Sequence, residues 1–194
     1  MEEQPTNHPQ TELASPPVDE IQARAEEGRL CFRQGQYEEA LSHFKEIYEH
    51  YATQGDQQRL AETVNDIGVV YTVLRQWEQA EKSLNEAHEL FTRLNNYSGE
   101  AQTLGNLGSM FRSRGDFKQA AANLQLAADR FHLVGDDERR SATLKVLSMV
   151  RLRQFRFLQA LAAYDAALAC DPHPSAFKKF LRRIISLPLR LIAG

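Results

Sequence analysis

Apolar and small residues return along most of this chain in two alternating sets. Between Ala101 and Ala127, Leu104, Leu107, Met110 and Phe111 recur at helical spacing, and so do Phe117, Ala120, Leu124 and Ala127. The sets are interrupted at Gly115-Asp116, so the stretch predicts two helices joined by a tight turn. Gly108 and Ala120 fall where two antiparallel helices would approach most closely. A larger side chain at either position would push the backbones apart.

The same pattern recurs 40 residues to either side. Gly28, Gly68, Gly108 and Ser148 fall in register, as do Ala40, Ala80, Ala120 and Ala160, and Phe44, Leu84, Leu124 and Tyr164. Tyr37, Trp77, Phe117 and Phe157 form a fourth aligned set. Between repeats stand Gly55, Asn95 and Gly135, which tolerate a left-handed helix end. Asp56, Asn96 and Asp136 follow them as N-caps for the next helix. A fixed period of this size predicts a stacked array of helix pairs. The helices are expected near 19–34 and 37–53, 57–74 and 77–94, 97–114 and 117–134, and 137–154 and 157–170. The fourth repeat departs from the pattern at Ser148, at Arg151 where an aromatic or thiol stands elsewhere, and at Phe155 in the tight turn. Terminal repeats are often atypical, because one face has no successor.

This small-residue, aromatic and alanine pattern resembles the tetratricopeptide repeat family. Its 40-residue period is similar to the extended repeats of Pins/LGN-type scaffold proteins. The resemblance covers Val18 to Pro172 and implies an all-α, right-handed α-solenoid of four helix pairs. The repeats fall at about 21–60, 61–100, 101–140 and 141–172. Residues 1–17 contain Pro5, Pro9, Pro16 and Pro17 among polar residues and read as a disordered tail. Residues 173–194 read as a basic amphipathic terminal helix that caps the solenoid.

Composition narrows the function. The chain has 194 residues and a net charge of −3, which argues against general nucleic-acid binding. The charge is uneven. Residues 1–20 carry Glu2, Glu3, Glu12, Asp19 and Glu20 with no Lys or Arg, and residues 173–194 carry Lys178, Lys179, Arg182, Arg183 and Arg190 with no Asp or Glu. Cys31 and Cys170 read as buried or semi-buried thiols rather than a bridge. The polar, acidic start shows no secretory signal, and no apolar run approaches the roughly 20 residues of a membrane span. A cytoplasmic location is the expectation.

No catalytic constellation is evident, and no cofactor or metal site is expected. No two of the six histidines stand at i, i+4, and no cysteine pair has metal spacing. Gly105-Asn106-Leu107-Gly108 has the look of a phosphate loop but lies inside a predicted helix with no strand before it. Asp136-Asp137-Glu138 reads as a cap and an acidic first turn rather than a cation site.

The family resemblance implies that the first helix of each pair lines a concave groove. Its inward positions here include Arg29, Arg33, Asn65, Arg112, Lys145 and Arg153. Such a set favours an acidic peptide, because the planar guanidinium matches a carboxylate. The carboxylate clamp of chaperone-binding relatives is not reproduced: its positions, counted from the first repeat, hold Ala25, Arg29, Asp66, Gln102 and Asn106. The expected function is therefore a non-catalytic adaptor that holds a protein or peptide partner.

The alternative is a peripheral membrane assembly or tethering factor. There Lys178, Lys179, Arg182 and Arg183 of the terminal helix would contact an anionic surface. On the wheel, Phe177, Phe180, Leu181, Ile184, Ile185 and Leu187 share the other side, and Pro188 is expected to break or kink the helix. As a cap, the helix would lay Phe177, Phe180, Leu181 and Ile184 on the fourth pair and leave the four bases in water.

Overall fold

The computed structural model describes residues 18–172 and 174–193. The tail expected over 1–17 lies outside the described residues. Among the described residues there are nine helices and no strand. They are α1 (Val18–Arg33), α2 (Tyr37–Gln54), α3 (Gln57–Val73), α4 (Trp77–Arg93), α5 (Tyr97–Arg114), α6 (Phe117–Leu133), α7 (Asp137–Arg153), α8 (Phe157–Ala169) and α9 (Ala176–Ala193). The first eight end within one residue of the bounds expected from periodicity. Each helix packs on its successor, which makes the chain an all-α solenoid.

Close approach within each pair explains the aligned small residues. A Cβ on Gly68 would lie 2.7 Å from Leu84 Cγ, and one on Gly108 would lie 2.6 Å from Leu124 Cγ and 3.3 Å from the Ala120 carbonyl oxygen. At Gly28 the nearest atom is Phe44 Cε1, at 3.0 Å. Ala40, Ala80 and Ala120 are fully buried opposite these glycines. In the fourth pair Ser148 takes the glycine's place, and its Oγ donates a 2.8 Å hydrogen bond to the Ala160 carbonyl. The bond satisfies the buried hydroxyl, so the departure from glycine is accommodated.

The turns are as regular as the contacts. A left-handed residue stands at each of the seven turns from α1 to α8: Gly35, Gly55, Arg75, Asn95, Gly115, Gly135 and Phe155. After three of them the expected caps form. Asp56, Asn96 and Asp136 accept from the backbone N–H groups of Arg59, Gly99 and Arg139 at 3.1, 2.8 and 2.9 Å. Asp116 does the same within the third pair, from Gln119 at 3.0 Å. Each cap satisfies a donor that a helix start would otherwise leave unpaired.

The core runs the length of the stack in two clusters that meet inside α4. Ala87, Leu90 and Phe91 belong with α1–α3, whereas Ala80 and Leu84 belong with α5–α8; Tyr71 packs against both. One acid is buried in it. Glu100 lies in the first turn of α5, where the helix dipole favours a negative charge, and Arg130 Nε reaches it at 3.0 Å. Of the two thiols, Cys31 is half-buried and Cys170 is buried, and both are free.

The last helix differs from expectation in two ways. It does not end at Pro188 but continues to Ala193. Proline removes a single N–H, and the leucines on either side are strong helix formers. Its face is also turned. Ile185 is buried and Leu181 half-buried, but Phe177, Phe180 and Ile184 are exposed. Lys178 and Arg182, expected in water, instead reach Asp171 and Asp165 at 2.6 and 3.3 Å. These ion pairs rotate α9 so that only one flank of its apolar side meets the stack.

Two substitutions test this architecture. Ala120→Leu should lower stability by roughly 1–3 kcal/mol in denaturant melts, through overpacking; curves that coincide with the native chain would remove Ala120 from the contact. Phe155 holds φ 59° while 80% exposed. Phe155→Gly should relieve left-handed strain and raise stability by roughly 0.5–1 kcal/mol. A lowered melting point would show that the ring contributes more than its backbone costs.

Candidate partner-binding groove

The odd-numbered helices form the inner side of the array. Within it α3 touches α5 directly, across the helix that separates them in sequence. Side chains reinforce the approach. Thr103 Oγ1 and Asn106 Nδ2 of α5 both donate to Asn65 Oδ1 of α3, at 3.1 and 2.9 Å. Arg29 Nε of α1 lies 3.9 Å from Asp66 Oδ2 of α3. Three clefts of mixed lining open on this side. One of about 470 Å³ is lined by Arg29, Arg59, Glu62 and Asp66 among others. One of about 190 Å³ lies under Arg29, Arg33 and Phe32, and one of about 310 Å³ lies between Asn65, Asp66 and Gln102.

The six groove residues singled out in the sequence occupy three different situations. Asn65 is buried, with its amide oxygen taken up by α5, so it ties two inner helices together. Arg29 is exposed but already paired, to Glu26 at 2.5 Å and more distantly to Asp66. Arg33, Arg112, Lys145 and Arg153 are exposed, and among the described residues none makes an ion pair.

The charge therefore divides along the groove. On α1 and α3, Glu26, Glu62 and Asp66 surround Arg29. On α5 and α7 the inward positions hold Gln102, Ser109, Arg112, Ser113, Lys145, Met149 and Arg153, and the acid on that face of α7, Glu138, stands two turns before Lys145. Met149 and Leu152 are about half exposed beside these bases. This half combines unneutralised cations with apolar surface, a pairing suited to a segment that carries both carboxylates and hydrophobic side chains.

Asp66 was not among the residues singled out, yet it is the most perturbed group of the groove. Burial pushes its carboxyl up to about 6. Arg29 and a hydrogen bond from Asn65 pull the other way, and Glu62 adds to the rise. The packing of α1 against α3 produces this effect, which a linear pattern does not display.

Paired antiparallel helices stacked at a fixed period, with the first of each pair lining an inner groove, define a class of helical repeat scaffold. The chain belongs to the tetratricopeptide repeat family, whose sequence profile matches residues 19–93, 59–131 and 99–172. Repeats of this family generally mediate protein–protein interaction, and the chain is a scaffold or adaptor on that ground. The match does not narrow the family to Pins/LGN-type scaffolds. Among solved structures the chain is similar to BtubC (BKLC) from P. vanneervenii, at 23% identity and a TM-score of 0.72, over 85% of this chain and 72% of that one. It is also similar to TTC0263, a thermophilic TPR protein of Thermus thermophilus, at 18% identity and a TM-score of 0.38, over 86% and 99% of the two chains. No curated protein matches it. No helix among the described residues is long and apolar enough to cross a membrane.

The raised Asp66 carboxyl makes a pH prediction. Its folded value, about 6, lies above its ordinary value of 3.8, so the folded state holds the proton more tightly. Stability from this group is therefore full below about pH 4 and is lost as pH rises through about 6. Asp66→Asn, which cannot ionise, should match the native chain near pH 4 and exceed it by on the order of 1–3 kcal/mol near pH 7. A difference between the two chains that does not change with pH would mean that Asp66 titrates normally.

Proposed function

We propose that the chain is a non-catalytic adaptor that receives an acidic, partly apolar partner segment in the α5–α7 half of its groove. The observation that carries this reading is the separation of charge along the inner face. Arg29 is neutralised by its own neighbours, whereas Arg112, Lys145 and Arg153 stand beside Met149 and Leu152 and make no ion pair among the described residues. Arg33 extends the basic character at the other end, beside a small cleft. The mechanism is geometric. Helix pairs held by close contacts present a surface already in its bound shape, so the entropy cost of docking falls on the partner segment. Charge sets the encounter and orientation, and the apolar side chains slow dissociation. A cytoplasmic setting suits this role.

Anisotropy of a labelled peptide of alternating Glu and Leu tests the reading. The native chain should bind it, with affinity falling as salt is raised. Arg112→Glu with Lys145→Glu should weaken binding at least about tenfold, since reversal replaces two attractions by two repulsions. Arg29→Ala should change it little. Binding that ignores salt and the double reversal, or that depends on Arg29 alone, would move the site away from α5–α7.

A further inference from the structure

The outward flank of α9 is a surface that the groove does not use. Its orientation is fixed by Lys178 and Arg182, which pair with Asp171 and Asp165 at the end of the fourth repeat, and by Ile185, which is buried against the stack. With that flank facing α8, Phe177, Phe180 and Ile184 are left on the far side, exposed by 70%, 61% and 53%. They stand at i, i+3 and i+7 and form one continuous stripe along the helix. Next to the stripe come Lys179 and Arg183. Both are exposed, and among the described residues neither has an ion pair. At 3.6 residues per turn, Arg183 lies roughly 60° around the helix from Phe180. Passing around α9, one meets the stack, then free bases, then free aromatics.

We infer that α9 is an in-plane binding element for anionic phospholipid surfaces, with Phe177, Phe180 and Ile184 entering the interface and Lys179 and Arg183 meeting the headgroups. Charge complementarity selects this occupant. The helix itself carries no acid, and Lys179 and Arg183 beside the stripe make no ion pair among the described residues, so whatever covers the stripe must also accept their positive charge. A lipid surface of negative charge offers both an apolar interior and a sheet of anions at the right depth. A second copy of α9 would set the same bases against one another. The stripe is too short and the helix too charged to span a bilayer, so the helix lies along the surface. Lys178 and Arg182 keep the helix seated on α8 while the opposite flank binds, so capping and lipid contact use different sides of one helix. This inference does not depend on the groove.

Cosedimentation of the full chain with vesicles tests it. Vesicles of phosphatidylcholine and phosphatidylserine in equal parts should pellet the protein, and pure phosphatidylcholine vesicles should pellet far less. Lys179→Gln with Arg183→Gln should weaken partition about thirtyfold, at about fivefold per basic residue near an anionic surface. Phe177→Ser with Phe180→Ser should abolish it. Both double variants change exposed positions and should melt with the native chain, which thermal scans check. The inference is overturned if the native chain stays in the supernatant, or if either double variant pellets as the native chain does. It is also overturned if gel filtration shows a dimer that the serine variant dissolves while vesicles capture nothing; the stripe would then belong to a second copy.

Discussion

Everything in this array depends on how closely two antiparallel helices can approach within a pair. At Gly68 and Gly108 the space for a Cβ is already taken by leucine atoms less than 3 Å away, and Ala80 and Ala120 present no bulk from the opposite side. That spacing sets the pair's crossing, and the crossing fixes where the next pair must begin. The left-handed residues at Gly35, Gly55, Arg75, Asn95, Gly115, Gly135 and Phe155 then reverse the chain at equal intervals. A groove lined by successive odd-numbered helices follows from the contact, because each pair can stack on its neighbour in only one way.

Electrostatics act on this frame at second order and differ from one end to the other. Where α1 meets α3, acids and a base are close enough to satisfy one another, and burial lifts Asp66 toward neutrality. Along α5 and α7, Arg112, Lys145 and Arg153 make no ion pair among the described residues. The same contrast appears on α9, where Lys178 and Arg182 are consumed by Asp171 and Asp165 while Lys179 and Arg183 make no ion pair among the described residues. In both places a charge that is spent holding the fold together is unavailable for recognition. The distinction between spent and unspent charge locates the surfaces that can act.

The fold was legible because its determinants are local and repeated. The periodic apolar positions, the left-handed turns and the caps at Asp56, Asn96 and Asp136 all reside within a few residues of the feature they specify. The site was less legible, because its state depends on partners far away in sequence. Arg29 looked like a free groove cation until α3 brought Asp66 beside it, and Asn65 looked like a recognition amide until Thr103 and Asn106 claimed its oxygen. Gly99 was not singled out, yet a Cβ there would lie 2.3 Å from Phe91, a contact between successive pairs that no in-register glycine announces. The turned face of α9 was hidden for the same reason. A helical wheel gives the faces of a helix but not the acids of its neighbour.

The meeting of two core clusters inside α4 gives the array a mechanical character. Ala80 and Leu84 at one end of that helix are embedded with the later pairs, and Leu90 and Phe91 at the other end with the earlier ones. Helix α4 is thus a rod clamped by different bodies at its two ends, with Tyr71 as the bridge between them. Torque applied to either half is carried through that rod as twist along its axis, where a helix is stiff. Bending across it is opposed by the buried amide of Asn65, which Thr103 and Asn106 hold from the other cluster. A helix, a ring and one buried amide therefore carry strain from one half of the array to the other.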